Sequence, residues 1–143
     1  MIKHLWSVLA NEVSVDQRTN NLSIFGVLEE LTIPVPEDIR LPTLVPLKHT
    51  IVSLWQKTRG EEVNFSLSVQ IIAPNGDTLG EVIQPVKILP QHRRTRSIIQ
   101  MDRFPLTGPG EYVFRVAAKL VDQEKETVYA QLPLDVIIPK TEN

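Results

Sequence analysis

The stretch Val63-Asn64-Phe65-Ser66-Leu67-Ser68-Val69-Gln70-Ile71 alternates without a fault: every odd-numbered position is apolar and every even-numbered one polar. Successive side chains of an extended chain point to opposite faces, so a period of two predicts a half-buried β-strand and not a helix. Beyond Pro74, Asn75-Gly76-Asp77 supplies a tight-turn signal, and alternation resumes from Leu79 to Ile88. Two alternating runs around such a turn predict an antiparallel hairpin.

The same period extends outward in both directions. Tyr112, Phe114, Val116, Ala118 and Leu120 share one face of a second predicted strand, with Gly108-Pro109-Gly110 just ahead of it. The charged tip Asp122-Gln123-Glu124-Lys125-Glu126 then leads into Val128, Ala130, Leu132, Leu134, Val136 and Ile138, a C-terminal hairpin. A further strand is predicted from Thr95 to Phe104. Towards the N-terminus two segments read both ways: Leu5, Leu9 and Val13 within residues 5–16, and Ile51, Leu54 and Trp55 within 47–58, also fit helical spacing. The turn Gln17-Arg18-Thr19-Asn20-Asn21, after which Leu22-Ser23-Ile24-Phe25 resumes alternation, favours strands. At Gly26 the apolar phase slips from Leu22 and Ile24 to Val27, Leu31 and Ile33, as a bulge would make it do. Pro85 and Pro133 interrupt strand-like runs and mark candidate sheet edges, because proline cannot donate to a ladder.

The chain of 143 residues has 11 prolines, most of them between apolar segments, which confines helices to a few windows. About eight short strands without a clear helix predict an all-β fold, an antiparallel β-sandwich of immunoglobulin-like or Greek-key type, forming a single domain over residues 1–143. The connection from Pro34 to Pro46 is long for a compact domain, as functional loops often are; the favoured reading is a crossover between sheets, pinned by its own Ile39, Leu41 and Leu44.

Composition narrows function by exclusion. With 15 Lys+Arg against 17 Asp+Glu the formal net charge is −2, so no global field points to nucleic acid or an anionic membrane. Hydrophobic residues at 42% are too many for a disordered chain, and no apolar run approaches the roughly 20 residues of a membrane helix. No membrane association is expected. The opening Met1-Ile2-Lys3-His4-Leu5-Trp6-Ser7-Val8-Leu9-Ala10 superficially suggests a signal peptide. Its alternation continues into Val13 and Val15, however, which favours folded protein and a cytoplasmic location. Zero cysteines remove disulfides, thiolate nucleophiles, zinc-thiolate sites and iron–sulfur clusters together.

No Gly-x-Ser-x-Gly elbow, phosphate-cradling glycine loop or His-Glu-x-x-His pattern occurs. His4, His49 and His92 fall in separate segments, and a hydrolase built on His49 or His92 would need a distant carboxylate to converge on it. Glu29 and Glu30, adjacent on a predicted strand, point to opposite faces. Asp77 fits turn chemistry better than calcium, which takes six to eight oxygens. The sequence therefore offers no catalytic residue, no metal site and no cofactor. Its one local charge cluster is His92-Arg93-Arg94-Thr95-Arg96, with Arg103 nearby. These residues are the candidates for holding an anion, an acidic partner or a nucleic-acid backbone. The competing reading is a solvated loop and an edge strand charged against aggregation. No aromatic residue interleaves with the arginines, which disfavours single-strand binding. Trp6 and Trp55 read as core or interface anchors rather than as a ligand-stacking pair.

Two sets of residues carry a resemblance. Leu9-Ala10-Asn11-Glu12-Val13-Ser14-Val15-Asp16 and Asn21-Leu22-Ser23-Ile24-Phe25-Gly26-Val27, followed by a proline-containing connection, resemble a family of small bacterial proteins of unknown function. Ala73-Pro74-Asn75-Gly76-Asp77 and Gly108-Pro109-Gly110-Glu111-Tyr112-Val113-Phe114-Arg115-Val116 are similar to the hairpin and final-strand signatures of that family and of immunoglobulin-like sandwiches generally. The resemblance implies a β-sandwich and brings no catalytic residues to transfer. The functional expectation is a non-enzymatic binding or assembly module, self-associating through sheet edges or faces or binding a protein partner. The alternative is anion or nucleic-acid binding through Arg93, Arg94 and Arg96.

Overall fold

The computed structural model describes residues 1–140. Its strands are β1 (Ile2–Val15), β2 (Leu22–Val27), β3 (Glu30–Thr32), β4 (Thr43–Lys57), β5 (Val63–Ile72), β6 (Thr78–Ile88), β7 (Arg94–Leu106), β8 (Gly110–Leu120) and β9 (Thr127–Ile137). They form a four-stranded sheet in the order β2-β1-β4-β7 and a five-stranded sheet in the order β3-β9-β8-β5-β6. All pairings are antiparallel except β3 with β9. With β1-β4-β7 on one side and β9-β8-β5-β6 on the other, the chain is a β-sandwich with the strand arrangement of immunoglobulin-like domains. The segments at 5–16 and 47–58 are strands, and the connection after β3 does cross from one sheet to the other.

The inward faces follow the alternation. Phe65, Leu67 and Val69 of β5 meet Ile51 and Trp55 of β4, Phe104 and Leu106 of β7, and Tyr112, Phe114 and Val116 of β8. Trp55 is fully buried, its ring centroid 5.2 Å from that of Phe65 and 5.3 Å from that of Tyr129. Its Nε1–H donates to the Ser97 hydroxyl at 3.0 Å, so the core gains a large apolar body without orphaning the indole donor.

Prolines set the edges. Pro85 lies on β6, an edge of the five-stranded sheet. On β9 the Asp135 N–H donates to the Glu29 carbonyl, and the Ile137 carbonyl accepts from Ile33 N–H. The odd-numbered residues of β9 therefore direct their backbone groups towards β3. Pro133, the next odd position, has no N–H to offer, and the β3 pairing stops short of it.

The pairing of β1 with β2 keeps one register from Ala10–Val27 to Val15–Leu22, so the phase slip expected as a bulge at Gly26 is not one. The Gly26 φ of +65° lies in the left-handed region, the β2 ladder ends one residue later, and Leu31 and Ile33 belong to the other side of the sandwich. The phase slip in the sequence is thus a passage between sheets. Alanine at this position meets both the left-handed backbone and the Asn11 side chain. Gly26→Ala is expected to cost about 1 kcal/mol, read as a lowered urea midpoint; an unchanged midpoint would show that the bend tolerates a Cβ.

The hairpin β1–β2 folds back over its own sheet. Thr50, Val52 and Leu54 point away from the sandwich interior, yet Val52 is 0% exposed and Thr50 is buried. Arg96, level with Leu54 on the neighbouring strand, bonds Asn20 at the hairpin tip. Half-buried Val13, Leu22 and Ile24 share the side of the hairpin that turns to the sheet, while Phe25 and Val27 face solvent.

Candidate functional site

Folding the hairpin back leaves a trough of about 620 Å³ between its tip and the outer face of the four-stranded sheet. Its floor is apolar: Trp6 of β1, Leu54 of β4 and Ile98 of β7, with Val15 and Leu22 from the hairpin. A bulge at Leu5 puts Trp6 there. His4 pairs with Trp55 and faces inward, but the register shifts before Trp6 pairs with Leu54, so the indole emerges on the outer face.

The cationic side of the trough comes from β7. Arg94 and Arg96, two residues apart on one strand, share the outward face, and His92 approaches from the preceding loop. The Arg94 Nε–H donates to Gln56 Oε1 at 2.8 Å, and Arg96 donates to the Asn20 carbonyl and, at 3.4 Å, to Asn20 Oδ1. All these acceptors are neutral. Among the described residues the one ion pair joins Lys48 to Glu12 at 3.3 Å, so neither guanidinium has its charge cancelled by a carboxylate.

A built turn presents Asn20. Asp16 Oδ1 accepts from the N–H groups of Arg18 at 2.8 Å and Thr19 at 3.0 Å, and the Asn20 N–H reaches the Asp16 carbonyl at 2.8 Å. Those backbone donors hold the exposed Asp16 carboxyl below its ordinary range. Asn20 itself sits at φ +61°, a left-handed conformation that asparagine adopts readily.

The five residues singled out in the sequence do not converge as a group. His92, Arg94 and Arg96 line the trough. Arg93 lines a neighbouring hollow with Arg59 and Gly60, and its carbonyl accepts from Lys57 N–H. Arg103 lies beyond the irregularity at Pro46–His49, about 23 Å along β7 from Arg96. Sequence reading missed Trp6, Leu54 and Asn20, and the adjacency of Trp6 to the arginines appears only when β4 is inserted between their strands.

The histidines are held apart. His49 is buried between Phe104 and Phe114, its Nδ1–H donating to the Leu47 carbonyl at 2.9 Å and its Nε2 without a partner. His4 Nε2 bonds the Ser7 hydroxyl at 2.7 Å, which in turn bonds the Ser53 hydroxyl at 2.6 Å. Among the described residues no group of three or more His, Asp or Glu side chains is disposed to hold a metal, and no helix is long and apolar enough to cross a membrane.

Burial pushes both His4 and His49 below the usual imidazole value of 6.5; for His49 the Leu47 carbonyl and the Asp102 charge offset part of the effect. The unfolded chain therefore binds more protons between the two values. The stability linked to these residues is complete above pH 6.5 and is lost as pH falls through the folded values. The urea midpoint is expected to be lower at pH 5 than at pH 8, and His49→Asn should narrow that gap. A gap of the same size in the variant would remove His49 from the explanation.

No curated protein sequence matches the chain. Among solved structures, the C-terminal domain of Wzt superposes with a TM-score of 0.57 at 10% identity, over 97% of this chain and 75% of that one, a likeness of fold. An immunoglobulin-like protein from Pseudomonas aeruginosa aligns with a TM-score of 0.37 at 13% identity, over 95% and 96% of the two chains. A family profile matches residues 5–137, nearly the whole sandwich, and the chain belongs to that family of unknown function, DUF6941.

Proposed function

We propose that the chain is a non-enzymatic binding module that takes an anionic ligand at Arg94 and Arg96. The observation that carries this reading is the pair of guanidinium groups on one strand face whose hydrogen bonds go only to neutral acceptors. Such groups retain an unspent charge and a planar fork suited to an oxyanion. The trough lining supports the non-catalytic part, because it holds one imidazole, His92, and no carboxylate to orient it. Nucleic acid is the weaker fit: a phosphate track needs charges in series, whereas Arg93 lines a different hollow and Arg103 lies about 23 Å along β7 from Arg96.

Titration of ¹⁵N-labelled protein with a panel of organic and inorganic anions at low salt tests the reading. At least one anion should shift the Arg94 and Arg96 Nε–H signals saturably, added NaCl should weaken the response, and the Arg94→Ala/Arg96→Ala variant should lose it. A panel that leaves these signals unmoved would overturn the proposal.

Self-association is the second reading, and the free edges of β6 and β7 favour it, with Ile83 on β6 64% exposed. Sedimentation should then show a dimer that Ile83→Lys dissociates. A monomer at about 100 μM, where a contact of ordinary interface size would be populated, would remove it.

A further inference from the structure

We infer that the ligand is a small organic acid, its planar apolar body lying along Trp6 and Leu54 and its carboxylate held by Arg94 and Arg96. This rests on the anion-binding reading and adds the chemical class. A site for a simple inorganic anion would need only donors. Here the two guanidinium groups stand beside Trp6, Leu54, Ile98 and Leu22, whose apolar surface such an ion would leave unused. The trough of about 620 Å³ falls within the range of small-molecule sites, roughly 300–1,000 Å³, which are largely apolar with a few placed polar groups. The hairpin residues Val15, Asn20 and Leu22 wall one side of it. A half-buried indole on the floor offers a face for a flat ring to stack on. A carboxylate would give Arg96 a charged acceptor in place of the neutral Asn20 carbonyl and so a stronger bond.

Three probes separate this inference from the reading beneath it: 2-naphthoate, the isosteric neutral 2-naphthamide, and inorganic sulfate, each titrated against the full chain by ¹H–¹⁵N NMR. Expected are saturable shifts of the Trp6 indole and of Arg94 and Arg96 with naphthoate, and affinities at least about tenfold weaker for naphthamide and for sulfate. Trp6→Leu should weaken naphthoate by at least about tenfold and leave sulfate unchanged; a ¹H–¹⁵N spectrum that otherwise superposes on the parent shows the fold intact. Sulfate binding as tightly as naphthoate would overturn the organic-acid inference while sustaining the anion site. Naphthamide binding as tightly as naphthoate would overturn it by showing that charge is not read. If none of the three moves the trough signals, the inference fails together with the anion reading.

Discussion

Replacing Lys57 by methionine should lower stability by about 3 kcal/mol and the melting temperature by about 10 °C. Lys57 ends β4 with its side chain turned inward and is 7% exposed. Its ammonium donates to the carbonyls of Leu89 at 2.7 Å, Pro90 at 2.8 Å and Gly60 at 3.2 Å. All three of its protons are thereby used, and no carboxylate takes part. The three acceptors belong to the β4–β5 and β6–β7 loops, so this one side chain ties together two connections at one end of the sandwich. Methionine keeps most of the stem's volume and removes every donor. Each carbonyl left without a partner costs about 1 kcal/mol even where water can partly reach it, which sets the size of the effect. Arginine should not rescue it, because a planar fork does not match three acceptors converging on a point charge. The β6–β7 loop also carries His92 and leads into Arg94, so the variant should also weaken the anion binding proposed for Arg94 and Arg96. Urea unfolding provides the check: a loss below about 0.5 kcal/mol would show that water replaces the ammonium without cost.

Lys57 illustrates where sequence reading stops. The alternation at Val63–Ile71, the Asn75-Gly76-Asp77 turn and the C-terminal hairpin were legible because each is a local pattern in a strand with one wet face. The run Thr50-Ile51-Val52-Ser53 was ambiguous for the opposite reason. It is buried on both faces, one by the facing sheet and one by the folded-back hairpin, and continuous burial erases the period of two. A lysine at the end of such a run reads as solvent-exposed, since the loops that cage it are over thirty residues distant in part. The site divides in the same way. That Arg94 and Arg96 share a face follows from parity. That Trp6 joins them follows from a one-residue bulge at Leu5 and from β4 lying between β1 and β7, and neither leaves a local mark. The expectation that both tryptophans are core or interface anchors holds for Trp55 alone as a core anchor, because Trp6 faces the other way.

Tyr112→Phe should cost about 2 kcal/mol, although it removes a single oxygen from a wholly buried ring. That oxygen accepts from the N–H groups of Thr107 at 2.8 Å and Gly108 at 3.2 Å and donates to the Gly108 carbonyl at 2.7 Å, with the Thr107 hydroxyl 3.0 Å away. These bonds run from the start of β8 back to the turn that follows β7, the position and direction of the tyrosine corner in immunoglobulin-like sandwiches. The turn needs the help, because Gly108 at φ +150° and Gly110 at φ +135° have no side chains of their own to fix it. Phenylalanine retains the packing, including the edge contact with Phe104 at 4.9 Å between centroids, so any loss isolates the hydroxyl. Two N–H groups and one carbonyl would lose their partner inside a corner that closes one sheet onto the other. The phenotype should therefore be a uniform drop in the urea midpoint with an unchanged denaturant slope, the mark of a native state weakened and not reshaped. Because β7 ends at this corner, faster hydrogen exchange at Thr107 and Gly108 should accompany it. A variant as stable as the parent would mean that the backbone alone fixes the corner.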